Sequence, residues 1–223
     1  DDLVEEIIRV WGYDKIPSTL PGGAISLVRL PSSLGRAQTA RAALVGAGLL
    51  EAVPYSFSDP ARALALSGPE TREAPVLLNP LRQDASQLRQ HPLEGLLGAV
   101  AENLRHQQTN VRLFEIGRTY ERVGGETREP VWVALALAGA RRDPAWDAPD
   151  EPADVSDAKG LAEHVLRAFG LEAEPGPGRL GGFEPDCHGA LVLGDGPPVA
   201  EFGEVAAAVR ERFGIDVPVF AAV

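Results

Sequence analysis

The sequence predicts an α+β fold in which a mainly antiparallel sheet is flanked by helices. Two pairs of apolar, strand-like segments are joined by connections too short for a crossover, so the members of each pair must run antiparallel. Segments with helical spacing of apolar residues alternate with these strands along the chain. Beyond residue 33 the predicted order is helix, strand, helix, strand, helix, two strands, helix, two strands, helix, strand.

Glycine and proline bound the first predicted elements. A linker is expected at 22–33, followed by an alanine-rich helix at 34–44 that ends at Gly46 or Gly48. Its inward face would hold Leu34, Ala37, Arg41, Leu44 and Val45. A strand is expected at 51–57. Asp59 is a good N-cap and Pro60 a good first helical residue, which predicts a short helix at 60–67 that stops at Gly68.

The middle of the chain carries the clearest periodicity. A short strand at 76–79 is closed by Pro80. A helix follows at 93–106, because its apolar residues recur at helical spacing; they are Leu93, Leu96, Leu97, Val100, Ala101 and Leu104. A long strand at 111–123 and a turn at Gly124-Gly125 lead to 131–139, an apolar run typical of a buried central strand.

The last third predicts two long loops, a hairpin and two helices. Residues 140–156 are expected to form a loop, and Ser156 or Asp157 would cap a helix that ends at Gly170. Residues 172–186 are rich in glycine and proline and predict a second loop. Strands at 189–193 and 199–202 would form a hairpin, followed by a helix at 205–213 and a strand at 217–223.

The first residues combine an acidic and an apolar stripe at helical spacing. Asp2, Glu5 and Glu6 would share one face of a helix that stops at Gly12. Hard oxygen ligands suit Mg²⁺. The same residues are also typical of an acidic first helical turn on a solvated surface, with Glu5 and Arg9 as an i,i+4 pair. Spacing alone favours that second interpretation.

Composition narrows the function classes. A net charge of −11 and a pI near 4.8 argue against autonomous, nonspecific nucleic-acid binding. The single cysteine, Cys187, excludes an internal disulfide and favours a reducing cytoplasm. No apolar run reaches the length of a membrane span. The absence of methionine suggests a piece of a longer chain.

Several motifs occur in an order that resembles a known family. They are the start, Asp2 to Pro21; Gly48-Leu49-Leu50-Glu51 with Tyr55-Ser56-Phe57; Leu78-Asn79-Pro80-Leu81 with Leu88-Arg89; Arg112-Leu113-Phe114-Glu115-Ile116-Gly117; and Asp157-Ala158-Lys159-Gly160 with Glu163. Together they resemble the β subunit of bacterial phenylalanine–tRNA synthetase over residues 2–170. The tail departs from the family pattern at Cys187-His188-Gly189-Ala190 and at Gly203 to Ala207.

The resemblance implies a domain organisation and a set of partners. Residues 1–21 would end a preceding small domain, 22–33 would link, and 34–223 would form a class II aminoacyl-tRNA synthetase-like module. The family assembles as a heterotetramer of two catalytic α and two β subunits, and tRNA would be met through the full-length complex. The helix at 34–45 is then either an ordinary core helix or part of the subunit interface, and the resemblance favours the interface.

The resemblance also bears on chemistry. It implies that Asp2, Glu5 and Glu6 are ligands of Mg²⁺, with one further family aspartate lying outside this chain. Active synthetases of this fold hold ATP phosphates with arginines. Phe114-Glu115 lacks the first of these arginines and Gly181 stands where the second would fall. We therefore expect no catalytic or cofactor-binding residues, and a module that supports the α subunit in charging tRNA with phenylalanine. The alternatives are a free-standing amino-acid-activating enzyme and a tRNA-contacting module.

Overall fold

The computed structural model describes residues 1–20, 22, 31–66, 73–142, 145–147 and 151–223. The chain divides into two units, Asp1–Pro31 and Ser32–Val223. Of the linker predicted at 22–33, residues 23–30 lie outside the described ranges, as does the predicted helix stop at Gly68, while Ser32 and Ser33 belong to a helix. The domain limits stay predictions. In the described ranges no helix combines the length and apolarity that a bilayer crossing requires.

The first unit contains the amphipathic helix that the acidic and apolar stripes predict. Helix α1 spans Asp2–Trp11, and a short 3₁₀ turn follows at Tyr13–Lys15. Gly12 ends the helix with φ of 110°, a backbone conformation that favours glycine, and its N–H donates to Ile8 O. None of the residues of α1 is buried.

The second unit is built on one seven-stranded sheet. Its strands are β1 (Leu50–Glu51), β4 (Val111–Arg118), β7 (Val131–Ala138), β8 (Glu174–Pro177), β9 (Phe183–Val192), β10 (Pro198–Val205) and β11 (Val219–Ala222). They lie in the order β1-β4-β7-β11-β10-β9-β8. The pairing of β1 with β4 is parallel, and the other five are antiparallel. The predicted α+β fold with a mainly antiparallel sheet is confirmed.

Two short strand pairs stand apart from this sheet. Strand β2 (Phe57–Ser58) pairs with β3 (Gln87–Leu88), and β5 (Glu121–Val123) pairs with β6 (Glu126–Arg128). The β5–β6 hairpin turns at Gly124-Gly125, both with positive φ, as the double glycine predicts.

Helices cover both faces of the sheet. They are α2 (Ser32–Gly46), α3 (Pro60–Leu66), α4 (Leu93–Arg105), α5 (Val155–Ala168) and α6 (Ala207–Phe213). Helices α4 and α6 pack on one face, and α2 and α5 pack on the other. Successive side chains of β7 point to opposite faces of the sheet, so this strand contributes to the hydrophobic core on each face. Ala134, Ala136 and Ala138 face α4, whereas Leu135 and Leu137 face α5.

Some sequence-predicted elements are wrong. The strand predicted at 51–57 is two separate two-residue strands, because Pro54 in its middle cannot donate to a sheet. The strand predicted at 76–79 is a single bridge from Val76 to Gln87. The long strand at 111–123 is β4 and β5, which Thr119 and Tyr120 separate.

Two corrections concern the last third of the chain. The loop predicted at 172–186 contains β8 and the start of β9. Its prolines are tolerated because β8 is the last strand of the sheet, where one row of backbone donors has no partner. The cap of α5 is Asp154, one residue before the helix, which accepts from Ser156 N and Asp157 N while Asp157 accepts from Asp154 N.

The predicted inward face of α2 is only partly buried. Leu44 is buried and Ala37 is half-buried, but Leu34 and Val45 are 43% and 54% exposed. Ala40 is the other buried residue of α2.

Candidate interaction surface

The acidic residues predicted to bind Mg²⁺ lie on the exposed surface of α1. Arg9 donates to Glu6 through Nε at 3.1 Å and Nη2 at 2.6 Å, so the helix pair is Glu6–Arg9 and not the predicted Glu5–Arg9. The chemistry of these oxygens suits Mg²⁺. Across the described ranges, however, no group of three or more histidine, cysteine, aspartate or glutamate side chains is arranged to hold a metal ion. These three residues alone do not form a complete site.

Two arginines of β4, Arg112 and Arg118, have local partners. Arg112 donates to Arg141 O, and its other terminal nitrogen lies 3.5 Å from Ala47 O, so it ties β4 to two loops. Arg118 pairs with Glu129 at 2.7 Å on the surface. In place of a phosphate-binding arginine, the strand carries Glu115, which is buried.

The main unexplained feature of the second unit is an exposed apolar surface beside β1 and β2. We call it the apolar face; it consists of Leu50, Val53, Tyr55, Phe57, Val76, Leu78 and Leu81. Val53 and Tyr55 are 90% and 84% exposed, and Leu78 and Leu81 are fully exposed. Exposed apolar side chains are common singly, whereas large groups of them are typical of interaction sites.

Backbone pairing brings the segments of the apolar face together. Phe57 pairs with Leu88, and Val76 bridges to Gln87, so three chain segments lie side by side. Leu88 N also donates to Pro75 O at 2.9 Å. The rings of Tyr55 and Phe57 stack at 6.4 Å between centroids. The rings of Tyr55 and Phe57 are therefore in contact, and the backbones of β2, β3 and the segment at Val76 form one layer.

The sequence pattern places Val53, Tyr55, Phe57, Val76 and Leu78 of the apolar face in the strands predicted at 51–57 and 76–79, and it does not predict their exposure. Val53, Tyr55 and Phe57 alternate with Pro54 and Ser56, which is typical of a half-buried strand. A signal was nonetheless present: proline inside such a run indicates a sheet edge. The edge is where a second chain finds free backbone and exposed side chains.

A group of buried polar residues lies behind the apolar face. All the polar residues buried in the described part of the chain fall in three short stretches, at 58, at 89–94 and at 115–119. They are Ser58, Arg89, His91, Glu94, Glu115 and Thr119. We call them the buried polar group. Elsewhere in the described core the buried side chains are apolar.

The strongest contact of this group is the Arg89–Glu115 ion pair. The two termini of the guanidinium meet the two carboxylate oxygens, with Nη1 at 2.9 Å from Oε2, and Nε donates to Arg118 O at 2.8 Å. Both side chains are at most 6% exposed. Burial raises the pKa of Glu115, and the hydrogen bonds from Arg89 oppose that rise. Gly117 leaves the space that the pair occupies, since a Cβ there would overlap both side chains.

Glu94 links helix α4 to the strand that carries the apolar face. Its Oε2 accepts from Ser58 Oγ at 2.8 Å and its Oε1 accepts from Asp59 N at 3.1 Å. Burial raises the pKa of Glu94 to about 7, and the hydrogen bond from Ser58 works in the opposite direction. Burying a carboxylate costs free energy, so packing alone does not explain why this position holds a glutamate with two hydrogen bonds.

His91 lies two residues before the start of α4. Its Nδ1 accepts from Leu93 N at 3.2 Å, which satisfies one of the free donors of the first helical turn. Burial lowers the pKa of His91 to about 4, so the ring is neutral. In the described part of the chain, its Nε2 is a buried side-chain nitrogen with no hydrogen-bond partner.

An apolar cavity of about 350 Å³ lies on the other face of the sheet, beside α5. Its lining includes Val131 and Trp132 of β7, Val165 of α5, Phe169 just after α5, and residues of β10 and β11. No ionisable side chain lines it. The cavity therefore offers shape and apolar surface but no charged group for chemistry.

Comparison with known proteins assigns the chain to a family. The model of the phenylalanyl-tRNA synthetase β chain CLM domain matches residues 16–222. The chain is 39% identical to the phenylalanine–tRNA ligase β subunit of Anaeromyxobacter dehalogenans over 216 residues, covering 92% of this chain and 26% of that protein. It is 35% identical to the β subunit of Geobacter sulfurreducens, covering 98% of this chain and 28% of that protein. The chain thus spans about a quarter of the length of these relatives.

The fold has a counterpart among solved structures. A pyrrolysyl-tRNA synthetase of Desulfitobacterium hafniense, PylSc, superposes with a TM-score of 0.62 at 20% identity, covering 86% of this chain and 65% of that chain. This likeness confirms the predicted class II synthetase-like fold. With the family model matched over almost the whole second unit, the chain belongs to the phenylalanyl-tRNA synthetase β chain CLM domain family.

Proposed function

We propose that this chain is a non-catalytic module of a phenylalanine–tRNA ligase β subunit. It docks the catalytic α subunit through the apolar face and so supports ATP-dependent charging of tRNA with phenylalanine. The exposure of the apolar face is the observation that carries the proposal, because burying such a surface is the main driving force of protein association. The relatives are named β subunits, which favours an α-subunit partner.

In the described part of the chain, the lack of unpaired buried cationic side chains supports a non-catalytic role. Adenylate formation needs positive charge aimed at phosphate oxygens. Arg89 is the buried arginine of the described part of the chain, and Glu115 already neutralises it. The net charge of −11 adds no attraction for ATP or tRNA. We propose that the complex works in the cytoplasm and that tRNA binds to other parts of the complex.

Docking is tested by co-purification with the α subunit of the same organism. The 223-residue chain is co-expressed with a tagged α subunit, and the affinity of the purified pair is measured by titration calorimetry. Tyr55→Asp and Leu78→Asp each place a charge in the apolar face and should weaken binding at least about tenfold, since a buried unpaired charge is costly. Trp146→Asp is the control, because Trp146 is 98% exposed and lies outside the apolar face.

Two outcomes would refute the proposed function. One is that the chain and the α subunit, both folded, fail to co-purify, or that the Tyr55→Asp and Leu78→Asp variants bind the α subunit as tightly as the parent chain does. The other is amino-acid-dependent ATP–pyrophosphate exchange by this chain alone, which would instead support a free-standing amino-acid-activating enzyme. Tight, salt-sensitive binding of tRNA to the isolated chain would favour the tRNA-contacting module.

For the carboxylates of α1 we propose a partial role in metal binding. Asp2, Glu5 and Glu6 would contribute oxygen ligands to a Mg²⁺ site that water and other donors complete. Titration with Mn²⁺, followed by relaxation of water protons, tests this. Millimolar binding that Asp2→Asn and Glu5→Gln abolish would support the role. Unchanged binding in these variants would refute it.

A further inference from the structure

The segment that carries the apolar face is held mainly from behind. Between β1 and β2, the backbone makes only scattered bonds: Ala52 N donates to Phe114 O at 2.7 Å, and Ser56 O accepts from Arg89 N at 3.0 Å. The side chains of Val53 and Tyr55 project into solvent and pack little on their own module. Their placement therefore depends on the contacts that fix the backbone around them.

The N-terminal turn of α4 supplies those contacts. Pro54 lies against Gly95 so closely that a Cβ at Gly95 would stand 2.6 Å from Pro54 Cγ. The neighbouring residue of the same helix, Glu94, accepts hydrogen bonds from both Ser58 Oγ and Asp59 N. The exposed aromatic pair Tyr55 and Phe57 lies between these two fixed points.

Resting on the proposed docking of an α subunit, we propose that Glu94 is a positioning residue for the apolar face. Its carboxylate fixes the end of β2 and the start of α3, and thereby presents Tyr55 and Phe57 to the partner in one preformed arrangement. A preformed surface binds more tightly because less conformational entropy is lost on docking. Glu94 does not touch the partner in this arrangement, since its side chain is buried.

The charges around Glu94 show why hydrogen bonding, and not an ion pair, is its role. Asp59 raises the pKa of Glu94 by like charge, and Arg62 lowers it from the neighbouring helix α3. The nearby buried cation, Arg89, is committed to Glu115. The Glu94 carboxylate accepts hydrogen bonds from Ser58 Oγ and Asp59 N, at the end of β2.

The test separates the hydrogen bonds of Glu94 from its charge. Glu94→Gln keeps an acceptor for Asp59 N and a polar partner for Ser58, whereas Glu94→Leu keeps neither. We expect Glu94→Leu to weaken α-subunit binding about tenfold or more, and Glu94→Gln to bind within about twofold of the parent chain. Ser58→Ala, which removes one of the two donors, should give an intermediate loss and serves if Glu94→Leu fails to fold.

Hydrogen exchange of the free chain distinguishes a local loss of contacts around Glu94 from a general loss of stability. In Glu94→Leu the Asp59 amide should exchange at least about tenfold faster, while amides in the middle of α4, such as Val100, keep their protection. In Glu94→Gln both should stay protected. A global loss of protection would instead mean that Glu94 only stabilises the fold, which overturns the inference.

The inference and the proposed function fail in different ways. If Glu94→Leu and Ser58→Ala bind the α subunit like the parent chain while Tyr55→Asp does not, the positioning role is wrong and the docking surface stands. If Tyr55→Asp also binds normally, the apolar face is not the docking surface, and both fall.

Discussion

The buried carboxylate of Glu94 makes a quantitative prediction about stability and pH. Its side chain is 6% exposed, and burial raises its pKa from 4.5 to about 7. Each pKa unit by which the folded and unfolded states differ corresponds to about 1.4 kcal/mol of stability. Ionising Glu94 in the folded protein therefore costs about 3 kcal/mol relative to ionising it in the unfolded chain.

The direction follows from which state binds the proton more tightly. A raised folded pKa means that the contribution of Glu94 is fully present below pH 4.5 and is lost as pH rises through about 7. His91 and Glu163 act oppositely, because their pKa values are lowered and stability is lost as pH falls. The comparison must therefore be between the parent chain and a variant at the same pH.

Glu94→Gln removes the ionisation and keeps the hydrogen bonds. We expect the variant to be more stable than the parent by about 1 kcal/mol or less at pH 5, and by up to about 3 kcal/mol at pH 8.5. Urea denaturation followed by circular dichroism at both pH values measures the difference. Glu102→Gln is the control on the same helix, because the Glu102 side chain is 55% exposed. A parent-to-variant difference that is the same at both pH values would refute the reasoning.

Further predictions concern the packing and charge around α4. Gly95→Ala should destabilise the chain by about 1–3 kcal/mol, because the new Cβ overlaps Pro54, whereas Gly98→Ala on the same helix has open space and should stabilise it by about 0.5–1 kcal/mol. Glu115→Ala should cost about 3–5 kcal/mol by leaving the Arg89 cation buried without a partner. The double variant Arg89→Met with Glu115→Met should recover most of that loss, since both buried charges are gone. Urea denaturation at one pH measures all four, and equal effects of the two glycine substitutions, or no recovery in the double variant, would contradict the packing and charge arguments respectively.

The elements that sequence reasoning placed correctly are those with a strong local signal. Helix α4 was predicted within a residue because its leucines repeat at helical spacing over three turns. Strand β7 was predicted because an unbroken apolar run between two glycine-containing turns fits a strand buried on both faces. In both cases the residue pattern and the final burial agree.

The elements that were missed depend on position in the sheet, which a local pattern does not contain. Strand β8 includes Pro175 and Pro177, and prolines are typical of loops. They fit a strand only because β8 is the last strand of the sheet, which the local sequence does not reveal. The residues of the apolar face alternate like a half-buried strand, and whether the alternating side chains are covered depends on chain segments far away in sequence. The contact of Glu94 with Ser58 has no local sequence signal, because the two residues lie 36 positions apart.

The placement of polar residues in the core argues for a concentrated function. Stable cores are apolar, and departures from that rule cost free energy unless something is gained. In the described part of this chain those departures all fall behind the apolar face, within Ser58, Arg89 to Glu94, and Glu115 to Thr119. A purely structural module would gain by replacing them with leucine or methionine. Their concentration behind the apolar face indicates that the cost is tolerated there because these residues fix the geometry of that surface. Two expected effects test this interpretation: Glu94→Gln should raise stability at alkaline pH, and Glu94→Leu should weaken docking.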